Sequence, residues 1–148
     1  MAGIETIGAV PPGEVPDYGV DGDHRIRTAR ATYSFAEHGG AVSVIGLGVF
    51  LPDNAVVVRS WWEVTDAVTS GAAAQISFSI PTDDVDGISA AAVLGTQGTL
   101  GYHEGLQLGT AASFSTKTTA ERELSMEVTV APLTAGILIL FCDYVVTA

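Results

Sequence analysis

The sequence contains very few basic residues. Six Lys and Arg stand against 17 Asp and Glu in 148 residues, which gives a formal net charge of −11. Proteins that bind nucleic acids gain much of their affinity by neutralising phosphates with Lys and Arg, and anionic lipid surfaces attract the same side chains. The composition therefore argues against nucleic acid and membrane as partners.

Cysteine and long apolar runs are also scarce. The single Cys142 excludes an internal disulfide, and because it lies within an apolar stretch we expect it to pack as a small hydrophobic residue. No stretch reaches the ~18 consecutive apolar residues of a membrane-spanning helix. The first residues, MAGIET, lack the basic start and apolar core of a secretory signal. The sequence predicts a soluble protein made in the cytoplasm.

Motifs for catalysis or cofactor binding are missing. There is no phosphate-binding loop ending in Lys-Ser/Thr and no Gly-x-Ser-x-Gly. His103-Glu104 is only a fragment of the ligand set that a cupin-type metal site uses. Two acidic clusters resemble calcium ligands, but neither completes an EF-hand loop, so turn chemistry explains them better: Asp17, Asp21 and Asp23, and Asp83, Asp84 and Asp86. We expect a protein that is not an enzyme and holds no cofactor or metal.

The chain divides into two parts of different composition. Residues 1–24 contain three of the six prolines, five glycines and five acidic residues, and no Lys or Arg. Such a segment has little apolar surface to bury, and we interpret it as an extended N-terminal arm. A disordered terminus and an arm that becomes ordered on a partner are both compatible with this composition. Residues 25–148 are long enough for one folded domain.

In residues 25–148 apolar side chains recur at every second position, which is typical of half-buried strands. The clearest strands span 74–80 and 123–130, and further strands are predicted over 26–36, 42–51, 55–65 and 136–147, with a weaker one at 111–116. Turn residues separate them at 38–40, 51–54, 69–71, 83–87 and 133–136. Many short strands without a long helix predict an all-β fold, a β-sandwich of jelly-roll-like type.

Three segments are less regular. The residues 89–94 fit a short helix or a strand equally well. Residues 118–121 have the spacing of a helix capping box, but the period-two pattern that follows limits any helix there to one turn. The stretch from Gly95 to Gly109 shows the least regular pattern of the domain.

Two consecutive tryptophans indicate an exposed contact residue. Neighbouring side chains on a strand point to opposite faces. If Trp62 joins Val56, Val58 and Val64 in the core, then Trp61 lies on the other face beside Arg59 and Glu63. An exposed Trp next to an Arg is typical of an interaction hot spot. Coverage of Trp61 by the arm or loops of the same chain is the alternative.

The last predicted strand is apolar on both faces. One face carries Ile137, Ile139, Phe141 and Val145, and the other carries Leu138, Leu140, Cys142, Tyr144 and Val146. A strand of this kind needs cover on both sides. A second subunit would cover the outer face of this strand. The alternative is that the loop formed by residues 95–109 of the same chain covers it.

The basic residues are concentrated directly after the acidic arm, at Arg25, Arg27 and Arg30. The acidic arm of one copy could therefore lie on the arginines of a neighbouring copy. Because exposed charge pairs are weak, they would determine the alignment of the arm more than the affinity of the contact. From these patterns we predict a set of residues at an interface with a partner or a second subunit: Val15, Tyr18, Arg25, Arg27, Arg30, Arg59, Trp61, Leu140 and Tyr144.

Four segments resemble small structural head proteins of tailed bacteriophages, the decoration or cement proteins of the capsid. They are 31–41 (ATYSFAEHGGA), 51–58 (LPDNAVVV), 69–71 (TSG) and 118–136, which opens with TTAERE and ends with LTAG. The resemblance covers about residues 25–147 and excludes the arm.

This resemblance implies a virion protein on the outer capsid surface, made in the host cytoplasm, that assembles as a homodimer or homotrimer. Its partner would be the major capsid protein, whose subunits it would bridge and stabilise. A β-sandwich that binds carbohydrate or a host receptor, as part of a head fibre or tail module, is the alternative that Trp61 and the acidic loops favour.

Overall fold

The computed structural model describes residues 25–81, 83–105 and 117–147. Within these ranges the chain forms eight strands and two single helical turns: β1 (Arg27–Ser34), α1 (Phe35–His38), β2 (Val44–Leu51), β3 (Ala55–Ser70), β4 (Gln75–Ile80), β5 (Asp84–Val93), α2 (Leu94–Gln97), β6 (Gly101–Glu104), β7 (Arg122–Thr129) and β8 (Leu133–Val146). The arm at 1–24, with Val15 and Tyr18, lies outside the described residues, as does the predicted strand at 111–116.

The strands form two antiparallel sheets of four. The sheet that we call the front sheet has the order β1-β8-β3-β6, and the back sheet has the order β2-β7-β4-β5. All strand pairs are antiparallel. Each sheet combines strands from both ends of the chain, which is a jelly-roll-like order. The prediction of an all-β sandwich is confirmed.

The core lies between the sheets and consists of the inward-facing side chains of both. The front sheet contributes Trp62, Leu138 and Leu140, and the back sheet contributes Phe78 and Met126, all of them buried. The rings of Trp62 and Phe78 meet across the two layers with centroids 4.7 Å apart. Burial of each large apolar side chain stabilises the fold by about 1.5–3 kcal/mol, so this layer contact holds the sandwich together.

Strand β8 does not need a partner chain to cover its inward face. Leu138, Leu140 and Cys142 are fully buried against the back sheet of the same chain. The prediction of Leu140 as an interface residue is therefore corrected, because its side chain belongs to the core. Tyr144 follows on the same face and is half-buried against the core. Only the opposite face of β8 remains open to contact.

Strand β3 differs from the expected alternation near its start. Trp62 and Val64 are buried as predicted, but Val57 is buried in place of Val58, which is 46% exposed. The pairing of β3 with β8 shifts between Val57 and Arg59. Such an irregularity adds one residue to a strand and reverses the faces that precede it. Local periodicity could not reveal this shift.

The connection between β7 and β8, which links the two sheets, begins earlier than predicted. Residues 133–136, expected to form the turn, belong to β8, and the chain reverses at 130–132 instead. Val130 adopts a positive φ of 72° and is 68% exposed, although its position in the alternating pattern predicted burial. Gly136 has a φ of 134° within β8, where a Cβ atom would collide with the backbone of Val68. The glycine there permits a close approach of two strands.

The middle of the chain is more ordered than its composition suggested. The segment 89–94 is mainly strand, since β5 continues to Val93 before the single turn of α2. Strand β6 lies within the stretch that showed the least regular pattern, and it pairs with β3 from Trp61 to Val64. Residues 118–121 contain no helix, and β7 begins at Arg122. The expected turn at 83–87 largely belongs to β5.

Asp83 connects this region to the start of β7. Its carboxylate accepts hydrogen bonds from the backbone N–H of Thr119 at 3.0 Å and from the Thr119 hydroxyl at 2.7 Å. Arg122 Nε lies 2.9 Å from the same carboxylate. The Arg122 hydrogen bond, opposed by burial and supported by Thr119, lowers the pKa of Asp83 below its ordinary value of 3.8. Asp83 therefore serves as a structural cross-link.

We expect Leu140→Ala to lower the free energy of unfolding by about 2–5 kcal/mol, because it leaves a cavity in the core. Ile137→Ala, on the same strand but on the opposite and partly exposed face, serves as the control and should cost clearly less. Urea unfolding followed by circular dichroism measures both. Equal losses for the two variants would contradict the assignment of faces along β8.

We expect Asp83→Asn to reduce the dependence of stability on pH. The lowered pKa of Asp83 means that its carboxylate stabilises the fold at pH values above 3.8, and that this contribution is lost as the pH falls through the lowered pKa. Unfolding midpoints near neutral pH and in acid should therefore differ less in Asp83→Asn than in the wild type. Asp66→Asn, at an exposed position of β3, is the matched control. An unchanged pH dependence in Asp83→Asn would refute the cross-link.

Candidate interaction surface on the front sheet

Trp61 lies on the outer face of the front sheet because its neighbour Trp62 points into the core. In the register of the sheet, Trp61 stands opposite Phe141 of β8 and opposite Glu104 of β6. Phe141 in turn stands opposite Arg30 of β1. One row across all four strands therefore presents Arg30, Phe141, Trp61 and Glu104 on the same face.

The side chains of this row form a stack. The rings of Trp61 and Phe141 are nearly parallel, with an interplanar angle of 10° and centroids 5.3 Å apart. The Arg59 guanidinium carbon lies 4.7 Å from the centre of the Trp61 ring, and Arg59 Nη2 is 3.1 Å from Glu104 Oε1. Because β8 and β6 flank β3 on opposite sides, Trp61 is held between Phe141 and the Arg59–Glu104 ion pair.

Further apolar side chains extend this stack into a patch. Ile137 and Ile139 lie on the same face of β8 as Phe141 and are partly exposed. Tyr102 of β6 lies opposite Glu63 and is 73% exposed. We call Trp61, Tyr102, Ile137, Ile139 and Phe141 the front-face patch. A partly exposed apolar and aromatic surface of this kind is typical of a contact site.

Charged residues border the patch on both sides. Arg30 and Arg27 of β1 are exposed, and among the described residues neither makes an ion pair. Asp143 of β8 accepts a hydrogen bond from the Thr28 hydroxyl at 2.6 Å. The β1 side of the patch is therefore the more basic one, while the β6 side carries Glu104.

The predicted interface residues fall into three groups. Arg30, Arg59 and Trp61 come together at the patch. Arg25 and Arg27 are exposed where β1 begins, at the end of the front sheet. Leu140 and Tyr144 face inward, as described above, while Val15 and Tyr18 lie outside the described residues.

Sequence reasoning did not select Phe141, Tyr102 or Glu104 as site residues. Phe141 was visible as part of an apolar face, but its contact with Trp61 depends on the pairing of β8 with β3. Tyr102 and Glu104 belong to β6, which carried no clear strand signal. The only sequence signal for Tyr102 is that it is an aromatic residue within a glycine-rich stretch.

The described residues offer contact surface and no visible catalytic centre. In the described ranges no three His, Cys, Asp or Glu side chains lie close enough to hold a metal ion. Burial, with a smaller effect of Asp143, raises the pKa of Cys142 to about 12, so its thiol is a packing group and a poor nucleophile. No helix of the described segments is long and apolar enough to cross a membrane.

The stack also bears on carbohydrate binding. An aromatic platform for a sugar presents a free ring face. The Trp61 ring stacks on Phe141 and the Arg59 guanidinium lies over it, so the ring is already in contact with two side chains of its own chain. This arrangement favours a protein contact, in which Trp and Arg act as anchors.

No protein-family model matches the chain, and no curated protein does. Among solved structures, the chain is similar to a chain of the capsid of Ralstonia phage GP4, with 23% identity over 91% of this chain and 90% of the other and a TM-score of 0.64. A chain of the cyanophage Pam1 capsid asymmetric unit is 14% identical over 92% and 95%, with a TM-score of 0.63. A chain of the acid-stable capsid of Helicobacter pylori bacteriophage KHP30 is 16% identical over 83% and 89%, with a TM-score of 0.57.

At these identities the similarity establishes a shared fold. The alignments cover nearly equal shares of both chains. Each matched chain is therefore similar in length to this chain.

We expect Trp61 to account for most of the acrylamide-accessible fluorescence at low protein concentration. Trp62 is buried, and its Nε1 donates a hydrogen bond to the Gln97 carbonyl at 3.0 Å. Trp61→Phe should therefore leave an emission that acrylamide quenches weakly. Stern–Volmer plots of wild type and variant measure the difference. Strong residual quenching in Trp61→Phe would contradict the burial of Trp62.

Proposed function

We propose that this protein is a structural component of the tailed-phage virion that binds the outer surface of the capsid. In this role it bridges neighbouring major capsid subunits and stabilises the shell. The observation that carries the proposal is the fold shared along nearly the whole chain with small chains of three phage capsid structures. The sequence resemblance to phage head proteins supports the same role independently.

The charge of the protein supports a position on the outside of the shell. A net charge of −11 on 148 residues would be repelled by packaged DNA at the inner surface. The same charge keeps free copies apart in solution and so favours contacts that are selected by specific side chains.

The front-face patch is the contact that we assign to a neighbouring subunit of the shell. It contains Trp61 and Tyr102 and is contacted by Arg59, and these residue types dominate the binding energy of protein interfaces. The stack holds Trp61 in place before binding, which reduces the entropy lost on association. Repetition of such a contact over a symmetric shell converts a modest affinity into firm attachment through avidity.

We expect purified protein to co-sediment with capsids that lack it and to raise the temperature at which those capsids disrupt. Trp61→Ala should increase the protein concentration needed for half-saturation by about tenfold or more, as loss of a hot-spot residue does. Sedimentation and a thermal release assay for DNA measure both effects.

The matched control is Phe50→Ala, which removes an aromatic side chain of 53% exposure from the back sheet. It should leave attachment unchanged. Absence of co-sedimentation for the wild type would refute the proposed function. Equal weakening by Phe50→Ala and Trp61→Ala would refute the assignment of the contact to the front sheet.

A further inference from the structure

We propose that the protein forms a dimer in which the free edge of β1, the edge away from β8, pairs antiparallel with β1 of a second copy. The pairing follows from the hydrogen-bonding groups and charges of this edge. Its role in bridging capsid subunits rests on the proposed function.

Among the four edge strands of the sandwich, β1 has the longest unbroken edge. It pairs with β8 in continuous register over eight residues and contains no proline. The other edges are interrupted or short, as is common where natural sheets avoid further pairing. Strands β2 and β5 have register shifts, and β6 has four residues. The free edge of β1 is therefore the best template for another strand.

The end of β1 shows which of its backbone groups lie on the free edge. The Ser34 N–H donates to His38 Nδ1 at 3.2 Å and therefore points away from β8. Backbone groups of successive strand residues point alternately to the two sides. Thr28, Arg30 and Thr32 consequently direct their N–H and C=O groups to the free edge.

The central strands lead to the same assignment. The Ser60 carbonyl accepts a hydrogen bond from the Gly105 N–H on the β6 side of β3. The next residue, Trp61, therefore directs its groups toward β8, where it pairs with Phe141. Arg30 stands opposite Phe141 on the other side of β8. Because Phe141 points toward β3, Arg30 points toward the free edge.

Charge and the His38 contact select one register for two copies of β1. An antiparallel pair of identical strands is two-fold symmetric, and three registers place Arg30 opposite Arg30, Thr32 or Thr28 of the second copy. The first sets like charges directly opposite each other. The second requires the Ser34 N–H, which His38 already binds. The third, with Arg30 opposite Thr28, satisfies both conditions.

This register also provides an acidic partner for Arg30. Thr28 pairs with Asp143, so Arg30 of one copy lies in line with Thr28 and Asp143 of the second, about 10 Å from the Asp143 backbone. Neither Arg30 nor Asp143 makes an ion pair within the described residues. Symmetry produces this Arg30–Asp143 contact twice. The other acidic residues of the outer face lie on the third and fourth strands from the edge: Glu63, Asp66 and Glu104.

A second β1 fits the edge better than residues 1–24 of the same chain. That segment contains three prolines and five glycines, which are depleted in paired strands. Strand β1 is already formed, so its pairing costs little further ordering. In the selected register Arg27 faces Ala31 of the second copy, and no two arginines stand directly opposite each other.

The dimer places both front-face patches on one side. Antiparallel edge pairing joins the two front sheets into one sheet of eight strands, and the two-fold axis is perpendicular to it. Both outer faces therefore point in the same direction. The two Trp61 residues are five strand spacings apart, about 24 Å. One dimer can thus contact two neighbouring capsid subunits, which is what bridging requires.

The experiment measures the mass of the full chain by light scattering over a range of concentrations, without capsids. We expect twice the mass of one chain in concentrated protein and a fall toward one chain on dilution. Amide hydrogen exchange, followed by NMR, should show the Arg30 N–H exchanging about tenfold faster in the dilute protein.

A charge exchange tests the register. Arg30→Asp and Asp143→Arg should each raise the dimer Kd about tenfold or more, because each sets like charges in line. The double variant restores opposite charges and should return the Kd to within about threefold of the wild type. Lys117→Asp, the same change of charge at an exposed position beside β3, is the control and should leave the Kd unchanged.

Four outcomes would overturn the inference. A monomer whose Arg30 N–H is protected would indicate that residues 1–24 cover the edge of their own chain. A monomer with a freely exchanging Arg30 N–H would show an open edge. A dimer that Arg30→Asp does not weaken would use another surface. Failure of the double variant to recover, although circular dichroism shows it folded, would contradict the register. Since no capsid is present, these outcomes are separate from a failure to co-sediment with capsids, which tests the proposed function.

Discussion

The architecture of the surface depends on the burial of one side chain, Trp62. Its ring packs against Phe78 of the back sheet, and its Nε1–H is satisfied by the Gln97 carbonyl, so it occupies the centre of the core at no polar cost. Because successive side chains of a strand alternate between faces, this burial directs Trp61 outward. The hydrophobic core and the partly exposed Trp61 are thus fixed by a single register.

Strand pairing then determines what surrounds Trp61. Strand β8 lies between β1 and β3 and places Phe141 next to Trp61, while β6 contributes Glu104 on the other side. An aromatic pair of this type contributes about 0.5–1.5 kcal/mol beyond burial, and an exposed cation–π contact with Arg59 adds about 0.5–1 kcal/mol. These modest energies are sufficient to hold the ring in position, and a preformed anchor loses little entropy when it binds.

The proposed role in protein contact places requirements on the structure that differ from those of catalysis. It needs a rigid scaffold, an exposed anchor and a charge distribution that selects partners. The sandwich provides the first and the stack of Phe141, Trp61 and Arg59 provides the second. The separation of acidic residues before Arg25 from the arginines that follow provides the third.

The sequence by itself determined the class of fold and, up to Val128, the inward face of its most regular strands. Alternation predicted the burial of Ile76 and Phe78, as well as the outward position of Trp61, because period two is a local property of a strand. Tertiary structure decided the rest. The shift beside Val58 and the burial of Leu140 within its own chain depend on which strands pair and in which register. Pairings between residues distant in sequence leave no local periodic signal. The sequence could therefore not reveal the row that joins Phe141, Trp61 and Glu104.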